Sequence, residues 1–383
     1  MESAAAPPVN RYDRMEWAGA FGDLGTLIPF IAAYIGVLGM DPFGVLFAFG
    51  VAMLVCGLYY RTPIPVQPMK AIGAVASIQA VQTAVVTPGA VHVAALVTGL
   101  TWLVLGLSGL MRHVARWVPA TVVYAILLGL GLGFMLQGLK MMQGDVPVAI
   151  AAAVLALSLL GNRRIPAMFA LLLFGAAIGA WRQPELLSRI ATAPIGLRLP
   201  APALGDIAWD QVFVGVVLLA LPQIPLTLGN AVLAITRENN RLFPARPVSE
   251  SGISISTGLM NLLSGATGGV PMCHGAGGMA GHIAFGARTG GSVVILGALL
   301  LVLALFFSQA VVTLFQLFPP AVLAVLLFIT GLQLAVGNGA LPADRAERAV
   351  VLGAAAVCIW NVAAGFLVGL ALHHAARRGW LRL

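Results

Sequence analysis

Charge is what this chain lacks most. Lys, Arg, Asp and Glu together make up 9% of its 383 residues, where soluble proteins carry roughly 25%. That shortage excludes a water-facing surface of ordinary composition. Cysteine is nearly missing too. Cys56, Cys273 and Cys358 are scattered and odd in number, which argues against a disulfide framework and against a CxxC metal site. Nothing in the pattern asks for a metal or an organic cofactor. Residues 1–17 contain no apolar run suited to a cleaved signal peptide. Period-two alternation in ten-residue segments is missing as well, so a transmembrane barrel is disfavoured.

Apolar sequence is what remains. The chain is 60% hydrophobic with a mean hydropathy of +0.98, and runs such as 293–307 and 350–359 are almost free of polar residues. The composition is that of an all-α polytopic membrane protein. Candidate spans fall near 18–36, 42–60, 66–82, 90–111, 117–138, 146–160 and 165–181, and then near 211–236, 250–266, 269–286, 291–317, 319–336, 346–360 and 362–376. Seven precede and seven follow the polar connection 182–210, leaving a cytoplasmic segment 1–17 and a tail 377–383. The last two spans read equally well as one long bent helix.

The net charge of +8 does not signal a nucleic-acid partner, because the basic residues are dispersed in short connections. With the N-terminus inside, Arg11, Arg14, Arg61, Arg112, Arg116, Arg163, Arg164, Arg237, Arg241, Arg246, Arg288, Arg345, Arg348, Arg377, Arg378 and Arg382 all fall on the cytoplasmic side. Only Lys140, Arg182, Arg189 and Arg198 fall outside. This bias obeys the positive-inside rule and places both termini in the cytoplasm. Gly22-Asp23 precedes Pro68 by about 45 residues, and Pro225 precedes Pro271 by 46. Seven spans per half is an odd number, so the second repeat runs inverted relative to the first. Substrate in such transporters sits where the repeats meet.

Two proline-led breaks interrupt the apolar sequence at matching places, Pro65-Val66-Gln67-Pro68-Met69-Lys70-Ala71 and Gly269-Val270-Pro271-Met272-Cys273-His274-Gly275-Ala276-Gly277-Gly278. Paired breaks of this kind point to a binding site. Lys70 falls in the first turn of a half-helix led by Pro68, next to a helix dipole of the same sign. It therefore needs a negative partner, either Asp23 as a fixed ion pair or a bound anion. Asp23 is the one carboxylate well inside a predicted span, a candidate counter-ion or proton carrier. Gln67 and Gln223 flank prolines and can serve unwound backbone or a ligand. His274 and the surrounding glycines can approach an oxyanion, or the glycines can simply permit close packing. His282 reads as a packing residue. Two half-helix N-termini and Lys70 sum to about +2, suited to a small dianion. An ionised Asp23 lowers that to about +1, so its protonation is a candidate coupling step. An intramembrane enzyme using Cys273 and His274 is disfavoured, because adjacent helical residues point about 100° apart.

At these residues the chain resembles the molybdate transporter family, a distant branch of the sulfate permease superfamily. The resemblance rests on Phe21-Gly22-Asp23-Leu24-Gly25-Thr26, on residues 65–70 and on the run from Gly269 through Phe285-Gly286-Ala287-Arg288-Thr289-Gly290-Gly291. It implies a seven-plus-seven inverted repeat of about fourteen spans shared with uracil permeases, in which the third and tenth spans are short strands leading into half-helices. It assigns substrate contacts to Gln67, Pro68, Met69, Lys70 and Ala71 and to Met272, Cys273, His274 and Gly275, with Asp23 and Gln223 beside them. It implies a core domain moving against a gate made of spans five to seven and twelve to fourteen, no cytoplasmic STAS domain, and a homodimer by analogy. The expected activity is import of molybdate through the cell membrane as a secondary transporter, coupled to protons, with tungstate and sulfate as competitors. A sulfate transporter and an anion channel on the same scaffold are the alternatives. Carboxylates are missing from 221–236 and 271–285, which disfavours a nucleobase.

Overall fold

The computed structural model describes residues 9–36, 38–70, 72, 86–162, 164–336, 341–378 and 380. The first half contains α1 (Arg14–Gly36), α2 (Pro42–Tyr60), strand β1 (Gln67–Pro68), α3 (Pro88–Leu107), α4 (Leu110–Trp117), α5 (Ala120–Met142), α6 (Val146–Leu159), α7 (Ala167–Arg182) and α8 (Pro184–Ala191). The second half contains α9 (Trp209–Leu242), α10 (Glu250–Ala266), strand β2 (Met272–Cys273), α11 (Ala276–Ala284), α12 (Gly291–Phe307), α13 (Val311–Gln316), α14 (Pro320–Val336), α15 (Arg345–Trp360) and α16 (Val362–Arg377). Among the described residues α1, α2, α3, α5 and α9 are long and apolar enough to cross a bilayer, and α6, α7, α12 and α14 are shorter apolar helices.

Polar caps mark where these helices start. Asp13, Asp41, Thr87, Ser249, Asp344 and Asn361 each accept a hydrogen bond from first-turn backbone N–H groups, satisfying donors that apolar surroundings would leave unpaired. Asn361 also ends α15 in extended backbone. The last two apolar segments are therefore two helices, not one bent helix. The expected span 291–317 is likewise divided, into α12 and α13. Most of the expected span 66–82 lies outside the described residues.

The outer face is apolar. Trp117, Trp181, Trp209 and Trp360 sit exposed at helix ends, as interfacial tryptophans of membrane proteins do. Glycines supply close approach inside the bundle. A Cβ on Gly50 would stand 2.9 Å from Leu301 N, and one on Gly57 2.7 Å from Gly290 O, so α2 packs directly on α12. Gly99 on α3 and Gly258 on α10 do the same for that pair. Gly131 on α5 and Gly331 on α14 each bring a Cβ position within 2.7 Å of the other's carbonyl oxygen.

These contacts carry the symmetry of the chain. The pair α2–α12 corresponds to α10–α3 when the halves are exchanged, and α5–α14 corresponds to itself. The strands obey the same exchange. β1 and β2 pair antiparallel, Gln67 opposite Cys273 and Pro68 opposite Met272, so the two breaks meet each other at the centre of the fold.

Candidate functional site

The second break is held by side chains of its own half. Asn261 on α10 donates to Met272 O (2.6 Å) and accepts from Met272 N (2.8 Å). Ser264 donates to Val270 O (2.6 Å). Unwound backbone inside lipid must find such partners. The first break is tied to the second: Met69 N donates to Pro271 O (2.8 Å). His274 Nδ1 bonds Pro65 O (2.7 Å), and its Nε2 bonds Ser256 Oγ (2.7 Å). A carbonyl can only accept, so Nδ1 carries the hydrogen and Nε2 accepts from Ser256. Tyr60 in turn donates to Ser256 Oγ (2.6 Å) and lies edge-on to the imidazole. In this conformation both ring nitrogens of His274 serve the scaffold. Neither is turned to Cys273.

The other polar groups converge on β1. Gln67 Nε2 donates to Asp23 Oδ1 (2.6 Å) and Thr26 Oγ1 (2.8 Å), and the Thr26 hydroxyl bonds the same carboxylate oxygen. Asp23 ends a tightened turn, Phe21–Asp23, set within α1 between its regular stretches Arg14–Ala20 and Leu24–Gly36. Glycines of α11 let its first turn close over Asp23 and Gln67. A Cβ on Gly278 would stand 2.8 Å from both Asp23 Oδ2 and Gln67 Nε2. Gly22 and Gly281 perform the same service one layer away, where a Cβ on Gly281 would be 2.6 Å from Gly22 O.

Three buried polar atoms in this cluster have no hydrogen-bond partner among the described residues: Asp23 Oδ2, Gln67 Oε1 and Lys70 Nζ. Orphans of this kind are rare in folded proteins, and each calls for a physical explanation. Lys70 makes no ion pair with Asp23; its ammonium lies 4.2 Å from the centre of the Phe134 ring. It lines a cavity of about 250 Å³ with Gly25, Thr26, Phe134, Gln137 and Leu327. A wider cleft of about 760 Å³ shares Pro29 and Met141 with that cavity and runs to Gln183 and Arg189. A separate cleft of about 640 Å³, lined by Asp41, Thr87, Arg198 and Thr267, contains no residue of the two breaks.

The expected site residues separate accordingly. Asp23, Gln67 and Lys70 come together, and Pro68, Met69, Met272, Cys273 and Gly275 form the buried strand junction beside them. Gln223 is buried on α9 and donates to Thr227 Oγ1 (2.9 Å), between two stretches of widened helical turns at Val214–Ala220 and Thr227–Ala234. Pro222 and Pro225 remove backbone donors there, and widened turns absorb such losses. Asn230, one of those residues, accepts from Ala276 N (3.3 Å) at the start of α11. Ala71 lies outside the described residues.

Phe134 and Gln137 escaped the reading of the sequence, since one aromatic and one amide in an apolar helix carry no positional signal. Glu16 escaped it too. Its fully buried carboxylate accepts from Arg288 N (2.9 Å), Thr289 N (2.9 Å) and Ser292 N (3.1 Å) and lies 3.7 Å from Arg11 Nη2. A usable clue existed. α12 starts on Gly290-Gly291 with no capping side chain of its own, so an outside acceptor was required.

The family described as "Molybdate transporter of MFS superfamily" matches residues 15–134 and 215–334, one stretch in each half and together more than half of the chain. This chain belongs to the molybdate transporter family. It is 30% identical to Molybdate transporter 2 of Arabidopsis thaliana over 94% of this chain and 86% of that protein. Molybdate transporter 1 of the same plant is 31% identical over 92% and 85%. Among solved structures, the transmembrane domain of a cyanobacterial bicarbonate transporter, BicA, superposes with a TM-score of 0.60 at 19% identity, covering 96% of this chain and 98% of that domain. The murine Solute Carrier 26 family member A9 anion transporter, in its inward-facing state, gives 0.62 at 14% identity over 98% and 70%. At such identity these likenesses establish the fold, the seven-plus-seven inverted repeat. The Lys70 cavity lies between α1 and Lys70 on one side and α5 and α14 on the other.

Proposed function

We propose that this chain is a secondary transporter that imports molybdate through the cell membrane, with both termini cytoplasmic. The reading is carried by Lys70, whose buried ammonium faces a small cavity with no hydrogen-bond partner among the described residues. A cation in that position wants an anion. The relatives named as molybdate transporters supply the candidate. A cavity of about 250 Å³ falls below the roughly 300–1,000 Å³ of drug-sized sites and suits a small ion. Substrate would enter along the cleft past Arg189, settle between Lys70 and the start of α11, and leave when the core moves against α5 and α14.

Asp23 supplies a route to proton coupling. Its Oδ1 accepts from Gln67 and Thr26, while Oδ2 has no hydrogen-bond partner among the described residues and lies against the first turn of α11. A proton on Oδ2 turns that atom from an acceptor into a donor toward an oxyanion and removes one negative charge from the site. Replacing Asp23 with Asn should abolish the pH dependence of uptake; unchanged pH dependence removes Asp23 from that role.

The deciding experiment is uptake of labelled molybdate into proteoliposomes, with tungstate and sulfate as competitors, for wild type and Lys70→Ala. Uptake blocked by tungstate, resistant to excess sulfate and lost in the variant is the expected result. Stronger block by sulfate would reassign the substrate. Large voltage-driven currents would make the protein a channel. No uptake of either oxyanion under any proton gradient would remove the transport reading.

A further inference from the structure

We propose, resting on the anion reading of the Lys70 cavity, that the Phe134 ring is a built-in competitor of the substrate. It occupies the anion's place over Lys70 when the site is empty, and the arriving anion must displace it. Three observations converge on this ring. Its π face is the group that meets the Lys70 ammonium, at 4.2 Å from the ring centre, and Lys70 Nζ has no hydrogen-bond acceptor among the described residues. The ring also reaches the opposite break: a Cβ on Gly277, in the first turn of α11, would stand 2.9 Å from Phe134 Cζ. One side chain thus lies between Lys70 of the first break and the start of α11, where an ammonium and a helix dipole concentrate positive potential. The electron-rich face of an aromatic ring is the weakest negative group that could sit there, weaker than any oxyanion.

The backbone behind Phe134 leaves little slack. Gly131 and Gly331 press α5 onto α14, and a Cβ on Gly331 would stand 2.8 Å from Met135 N and 2.9 Å from Phe134 Cβ. The ring therefore leaves Lys70 by rotating into the neighbouring cavity, or it carries α5 and α14 away together. Either way, occupancy of the site is linked to contact between core and gate. A merely packing phenylalanine would face apolar side chains; this one faces an ammonium and the glycine of a helix start, and it borders open space.

The test is calorimetric titration of the purified full-length protein with molybdate. Wild type is compared with Phe134→Leu and with mono-, di- and trifluorinated phenylalanine at position 134, which keep the shape and progressively empty the π face. Cation–π contacts correspond to about two- to thirty-fold in an equilibrium constant. Competition predicts that Phe134→Leu binds molybdate tighter by a factor in that range, and that affinity rises stepwise along the fluorinated series. Weaker binding by Phe134→Leu would mean that the ring holds the anion rather than competing with it, and would overturn the proposal. Affinity unchanged in both series would reduce Phe134 to packing and overturn it equally. If the Leu variant fails to fold, Phe134→Met takes its place with the same expectations. No binding of any oxyanion by wild type would instead defeat the anion reading itself.

Discussion

The two breaks meet as a strand pair at the centre of the fold, yet they are built in opposite ways. In the first, polar side chains are left with spare capacity: Gln67 Oε1 and Lys70 Nζ have no partner among the described residues, and Asp23 Oδ2 beside them has none. In the second, polar side chains are spent on the backbone. Asn261 bridges both main-chain groups of Met272, Ser264 holds Val270, and His274 ties the break to Pro65 and Ser256. At Gly275, Gly277 and Gly278 the second break instead lets Gln67, Phe134 and Asp23 approach its backbone closely. One side supplies charge and the other a closely approached helix start. An inverted repeat makes this possible, since two copies of one element can diverge in task while their shared pairing keeps them in register.

That contrast is breakable by substitution. Lys70→Ala should have the largest effect and reduce oxyanion uptake to background, because it removes the charge that faces the cavity. Gln67→Ala comes next. It removes donors to a carboxylate and a hydroxyl, and hydrogen bonds to charged groups contribute about 1.5–3 kcal/mol each, so molybdate affinity by titration should fall about ten- to hundredfold. His274→Ala should act on stability instead. It leaves Pro65 O without its donor, at about 1–3 kcal/mol for a buried orphan, while the Ser256 hydroxyl keeps Tyr60 and Ile253 O. The melting temperature in detergent should drop, while the affinity of the folded protein changes less than threefold. A collapse of affinity in His274→Ala with normal melting would erase the distinction between the breaks. Ser256→Ala should be the mildest. The loss is smaller because Tyr60 keeps a second acceptor in Gly252 O (3.3 Å), and melting should fall by about half the His274→Ala shift.

Glu16 offers a further comparison with Asp23, the other fully buried carboxylate on α1. Glu16 accepts three backbone N–H bonds at the start of α12, so it is a fastening between α1 and the chain after α11. Glu16→Gln should destabilise the protein by about 1–3 kcal/mol, read as melting temperature, and leave any pH dependence of uptake intact. Asp23→Asn should do the reverse.

Much of this was legible in the sequence for reasons that can be named. Pro65, Pro68 and Pro271 each remove a backbone donor and stand among glycine and polar residues, so both breaks were visible as breaks. Lys70 and Asp23 were conspicuous because charge in an apolar segment is costly and rare. The roles within the breaks were less legible. His274 looked like a donor to an oxyanion, and in this conformation Pro65 O and Ser256 Oγ, far apart in sequence, arrive at its two nitrogens. The prolines beside Gln223 left its amide free to serve backbone or a ligand, and the family resemblance set it beside the substrate; here the amide donates along its own helix to Thr227. Phe134 gave no signal, since one more aromatic in an apolar helix is indistinguishable from packing until its neighbour is known.

By itself the sequence determined the solvent, the class and the places where chain regularity fails. Hydropathy, proline and isolated charge are local properties whose cost does not depend on what lies across the fold. The tertiary structure alone decided which polar atoms are satisfied and which are left over. That follows from pairings such as Gln67 with Asp23, His274 with Pro65 and Lys70 with Phe134, in which residues 44 to 209 positions apart are brought within reach. A hydrogen bond depends on a few tenths of an ångström between such groups, and only the packed bundle specifies distances that finely.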